Sequence, residues 1–241
     1  MIFRIVAVFL GLTFGFFSYK IFVLTKGSVK GWTYLTWTGL VLSAWAVLQT
    51  VLTDNPLVVD VSSFVGFLAI GVLLPLAFIK LDKSFGITLH KFFSKNVMLT
   101  IYGSLWAILL VLNFFILEFS NIMSELAGIS HFLLSIMAIY AIYPSYKMWR
   151  QTGKWFWMLM FVFIVCIGVA VMLGAYASAA CYEKPDDFEA CEGFSAVYPE
   201  VVPLPYISGL IAVTSKYHVI LITGMVLGAI GLYGLWRQLK I

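Results

Sequence analysis

Two histidines stand inside long apolar runs, where a polar ring is costly to place. His131 precedes Tyr146 by 15 residues and Trp149-Arg150-Gln151 by 18, and His218 precedes Tyr233 and Trp236-Arg237-Gln238 by the same intervals. With the two Trp-Arg-Gln turns as a common floor, helical rise puts both rings about 27 Å above it. Two neutral imidazoles at one depth on facing helices could supply both axial positions of a b-type haem. The plainer reading gives each ring a backbone or hydroxyl partner, with Ser130, Thr214 and Ser215 close in sequence. No carboxylate or cysteine stands near enough in sequence to complete a zinc or copper site, so no metal held by protein ligands alone is expected.

Further ionisable residues fall within or at the ends of apolar runs, among them Lys216, Asp60, Glu118 and Glu125. Each costs roughly 2.5–3.5 kcal/mol to insert at the centre of a bilayer, which makes it a functional candidate. Lys216 points away from His218, two residues on, and is expected to snorkel outward or to pair with Glu125 or Asp60. A lysine in the last of seven spans resembles the retinal proteins in topology and in that one residue. Ala212 stands one turn earlier in place of an acid, and the third span has no mid-membrane carboxylate, so the resemblance implies no Schiff base here. Cys181 and Cys191 flank an acidic stretch and are expected to form a disulfide, since a Cys-x9-Cys pair has no common metal spacing. Cys166 reads as a small buried apolar residue. No nucleophile motif, phosphate-binding loop or His-Glu-x-x-His pair is present, which leans against an enzyme.

The elements that must position these residues follow from composition. Of 241 residues 62% are apolar and 11% charged, with mean hydropathy +1.01. A soluble domain carries about 25% charge, so a water-soluble globule is excluded. Seven stretches are long enough to cross the ~30 Å hydrocarbon core: 2–24, 32–52, 58–79, 97–119, 123–146, 156–176 and 207–236. The connections are short and hold turn residues, except for an outer acidic loop at 177–206. The expected fold is therefore one all-α, seven-transmembrane-helix bundle, multi-pass in the cell membrane.

Charge sorting orients it. Lys20, Lys26, Lys30, Lys80, Lys83, Lys91, Lys95, Lys147, Arg150, Lys154, Arg237 and Lys240 gather on one side with a single acid, Asp82. The other ten acids fall on the opposite side. Basic connections stay cytoplasmic, which puts the N-terminus outside and the C-terminus inside. The shared spacing in spans five and seven, with matching ends Ser18-Tyr19-Lys20 and Ser145-Tyr146-Lys147, suggests a helix pair repeated three times plus a last helix.

No substrate signature emerges. The reading that asks least is a scaffold or interaction subunit of a membrane complex, in contact with lipid and other membrane subunits and not with nucleic acid. The alternatives are an electron-transfer protein with haem between His131 and His218, and a small-solute or ion transporter or channel. For transport, Gly66, Gly71 and Pro75 are expected to interrupt span three. Gly224-x3-Gly228 in span seven permits close helix approach.

Overall fold

Runs of Leu, Ile, Val, Phe and Ala separated only by short turns can satisfy their backbone groups in lipid as helices. The computed structural model describes residues 2–51, 56–116, 122–183 and 207–240, and no strand occurs among them. The helices are α1 (Ile2–Leu24), α2 (Gly31–Val51), α3 (Pro56–Ser84), α4 (Lys95–Ile116), α5 (Ile122–Met137), α6 (Ile139–Thr152), α7 (Trp155–Glu183) and α8 (Ile207–Lys240), with a 3-10 turn at Lys91–Phe93. Among the described residues six helical segments are long and apolar enough to cross a membrane. They begin at Ile5, Asp60, Lys95, Ile129, Trp155 and Val219.

The remaining long helix, α2, is diluted by Thr33, Thr36, Thr38, Ser43, Gln49 and Thr50. Its hydroxyls are largely satisfied within the helix. Thr36, Thr38, Ser43 and Thr50 donate to the carbonyls of Trp32, Tyr34, Gly39 and Ala46 at 2.7–2.9 Å. Such back-bonding lets a polar-flecked helix sit in an apolar bundle without orphaned donors.

Three boundaries differ from the sequence expectation. Span three is not interrupted: α3 runs through Pro75 to Ser84, because neighbouring helices hold it on both sides. Span five carries a one-residue irregularity at Ala138, between α5 and α6, where the backbone stays right-handed helical and still bonds Leu134 and Ile142. Pro144, inside α6, has no N–H for the Tyr140 carbonyl, which weakens the ladder one turn above it. The loop expected from residue 177 begins later, since α7 continues to Glu183 through the alanine-rich segment Ala175–Cys181, a strong helix former.

The helices close a ring in the order α1, α2, α3, the α5–α6 pair, α7, α8 and back to α1. Its centre is filled. Phe14 meets Phe163 at 4.9 Å between ring centroids, and Trp32 stacks on Trp157 at 6.1 Å, joining members that are not neighbours in the ring. Two seams are unusually close. A Cβ on Gly39 would lie 2.6 Å from the Gly15 nitrogen, so α1 and α2 cross backbone to backbone. On the far side a Cβ on Gly224 would lie 2.6 Å from Cys166 Cβ, and one on Gly228 2.8 Å from the Phe163 ring. The close approach expected of Gly224-x3-Gly228 is thus directed at α7.

α4 stands apart. It touches the ring mainly through Met98 and Tyr102, which pack with Leu76, Ile79, Leu133, Met137 and Tyr140. Only 11% of its Lys95–Leu112 segment is buried.

Candidate functional site

Polar side chains inside the ring fall into two layers on α3. At the end away from the basic connections, Gln49 Nε2 donates to Ser62 Oγ at 3.1 Å and to Ser63 Oγ at 2.9 Å. Trp45 Nε1 donates to Ser63 Oγ at 3.3 Å, and Asp60 is buried one turn before Ser63. The cluster forms because α2 ends and α3 begins side by side, so hydroxyls facing inward from α3 meet the one long amide of α2.

His131 of α5 lies at the lower margin of this layer. Its ring stacks on Phe67 with centroids 4.5 Å apart and planes 15° from parallel. Its Nε2 is buried and has no hydrogen-bond partner. Neither a backbone carbonyl nor a hydroxyl takes up that nitrogen, although Ser130 next to it is fully buried.

The second layer is at the basic end. Asp82 is 0% exposed and neither carboxylate oxygen is hydrogen-bonded. Its backbone carbonyl accepts from Phe85 N–H at 3.1 Å and Ile87 N–H at 2.9 Å, folding the chain after α3 back over the side chain. The Lys147 ammonium acts on it electrostatically but hydrogen-bonds the Thr88 carbonyl instead, at 2.9 Å. Ser18 Oγ and Trp32 Nε1, at the same end of the ring, are also buried without partners.

Between the layers the inward face of α3 is wholly apolar: Phe67, Ile70, Leu74, Ala77, Phe78 and Leu81, all in one core. Ser63 and Asp82 are 19 residues apart, about 28 Å along a helix. No polar side chain on that face bridges the gap.

The sequence candidates distribute unevenly. Asp60 and His131 share the layer away from the basic end. The side chains of Glu125, Lys216, His218 and Cys181, and all of Cys191, lie outside the described residues. The haem geometry therefore rests on helix positions alone: α5 packs on α3 and α7, α8 packs on α7 and α1, and α7 stands between them. Among the described residues Cys166 is a free thiol, partly buried against Gly224, and no three of His, Cys, Asp and Glu come together.

Two features escaped sequence reasoning. Asp82 was grouped with the loop lysines around it, yet Leu74, Phe78 and Asp82 are four residues apart and share one helix face, which was the available signal. The second is His90, in the connection after α3. It is exposed, but its Nδ1 accepts from Phe92 N–H at 3.3 Å and caps the 3-10 turn.

No known protein family, characterised protein or solved structure gives a significant match to the chain.

Proposed function

We propose that this chain is a scaffold or interaction subunit of a membrane complex, crossing the cell membrane seven times with its N-terminus outside and its C-terminus inside. The observation that carries the reading is the filled centre. Among the described residues, a ring of helices plugged by Phe14, Trp32, Leu74, Phe78, Trp157 and Phe163 offers no polar route through its centre. A bundle packed in this way acts through its surfaces.

α2 supplies the seventh span in this reading. It is 21 residues long, enough for the hydrocarbon core, and sits between α1 and α3. The sorting of twelve basic residues against one acid supports the orientation. The outward faces are strongly apolar, with Phe9, Phe16, Trp37, Val51 and Met172 more than half exposed, as contact with lipid and partner helices requires.

The test is to extract the protein from its native membrane in a mild detergent and weigh the particle by native mass spectrometry. A particle heavier than the chain, with the same second polypeptide in each preparation, is expected. A lone chain that drives solute or ion flux in proteoliposomes would replace this reading with transport. A Soret band in the purified protein would replace it with haem.

A further inference from the structure

Outside the two polar layers, an open cavity of about 450 Å³ lies where the end of α3, the connection after it and the start of α4 meet. Lys80, Lys83, Lys95 and His90 line it, with Ser94 and Asn96 at the rim. No acid lines it, and among the described residues none of the three lysines has a carboxylate partner. Like charges repel, so three ammoniums around one space favour an anion among them.

The remaining donors suit an anion as well. His90 accepts from Phe92 N–H through Nδ1, which leaves Nε2 of the neutral ring as the protonated nitrogen and hence a donor. The N-terminus of α4, whose dipole favours negative charge, opens at the same rim. Ser94 Oγ caps Val97 N–H at 3.4 Å and fixes that rim.

The walls are apolar and braced. Leu89 and Phe93 form one side. Phe93 stacks on Tyr143 with centroids 4.2 Å apart, Phe92 stacks on Tyr140 at 5.4 Å, and Lys147 holds the Thr88 carbonyl. The cavity thus exists before a ligand arrives, which lowers the ordering cost of binding. Beside it Leu99 and Leu110 of α4, on the same helix face as Lys95, present exposed apolar surface leading away from the basic end. A cationic pocket opening onto an apolar slope suits a molecule with an anionic head and hydrocarbon tails.

We propose that this cavity binds the phosphate of an anionic phospholipid of the inner leaflet. Lys80, Lys83 and Lys95 surround the phosphate oxygens, His90 donates from Nε2, and the acyl chains lie along α4. Basic pockets at the cytoplasmic ends of helices are a recurrent site for such headgroups. The inference rests on the membrane reading and the orientation above, but not on the chain having a protein partner.

The full chain, purified in detergent, is incubated with phosphatidylglycerol or phosphatidylcholine vesicles, and retained lipid is counted by native mass spectrometry. Wild type is expected to keep one phosphatidylglycerol in preference to phosphatidylcholine. The Lys80→Gln/Lys83→Gln/Lys95→Gln variant should lose that preference by about a hundredfold. A control that removes three charges at the same end outside the cavity, Lys20→Gln/Lys26→Gln/Lys154→Gln, should keep it. Asn96→Glu, a single change that puts a carboxylate at the rim, should also abolish retention and guards against misfolding of the triple variant. Equal loss in the control, or no preference in wild type, would overturn the proposal. Full displacement by millimolar inorganic phosphate would assign the site to free phosphate and overturn the lipid source. A chain that stays in solution without detergent would instead fail the membrane reading, a separately visible result.

Discussion

Lys147 of α6 donates from Nζ to the Thr88 carbonyl oxygen at 2.9 Å, joining residues 59 positions apart. The same ammonium lies over the Tyr143 ring, 5.6 Å from its centroid. One side chain therefore fastens the connection after α3 to the ring. Lys147→Met keeps the hydrocarbon stem and removes the donor. Losing one such bond is worth roughly 0.5–1.5 kcal/mol. Amide exchange at Phe85–Ser94 should accelerate by a few-fold to about tenfold while α1 and α2 exchange as before, read by hydrogen–deuterium exchange mass spectrometry.

Asp82 is a buried carboxylate with no hydrogen-bond donor on either oxygen. Such a group destabilises the fold that contains it. Asp82→Asn conserves volume and removes the charge, so it should raise resistance to unfolding by roughly 1–3 kcal/mol. A thermal melt of the purified protein in detergent reads this as a higher midpoint. A lower midpoint would show that the carboxylate holds something in place.

The α1–α2 crossing makes a sharper demand. A Cβ at Gly39 would fall 2.6 Å from Gly15 N and 2.8 Å from the Gly11 carbonyl, both backbone atoms that cannot swing aside. Gly39→Ala should therefore lower the melting midpoint, by an overpacking penalty of about 1–3 kcal/mol. Gly103 in α4 has nothing within 4 Å of the same position. There Gly103→Ala should be neutral or raise the midpoint slightly, through helix propensity.

Orientation is testable with a membrane-impermeant maleimide on intact cells. In a background with all three native cysteines replaced by serine, Lys91→Cys and Gln151→Cys should react only after permeabilisation, and Ser195→Cys should react at once. The reverse pattern would invert the proposed topology.

The helices were legible because lipid permits few alternatives: an unbroken apolar run must close its own hydrogen bonds, and α1 begins and ends where the run does, at Ile2 and Leu24. The two departures, in spans three and five, have one cause. A proline marks a local weakness, but whether the helix yields there depends on its neighbours. Pro75, centrally packed, leaves α3 whole, whereas the helix is irregular at Ala138, ahead of Pro144. The site was less legible. His131 and Asp60 announced themselves as polar residues in apolar company, but Gln49 and Asp82 sat at span ends, where sequence alone cannot say which way a side chain turns. The cavity at Lys80, Lys83, His90 and Lys95 needed the path of the connection after α3, set by the stacking of Phe92 and Phe93 on tyrosines about 50 residues onward.

The thin attachment of α4 has an evolutionary corollary. A helix with 11% of its membrane segment buried is constrained chiefly in bulk, by oil solubility summed along its length. Natural drift in α4 should exchange Leu, Ile, Val and Phe almost freely at Ile108, Leu110, Val111 and Leu112, sparing Met98 and Tyr102. At Gly15 and Gly39 the same mutational pressure meets backbone, and lineages that carry this fold should show almost no substitution there.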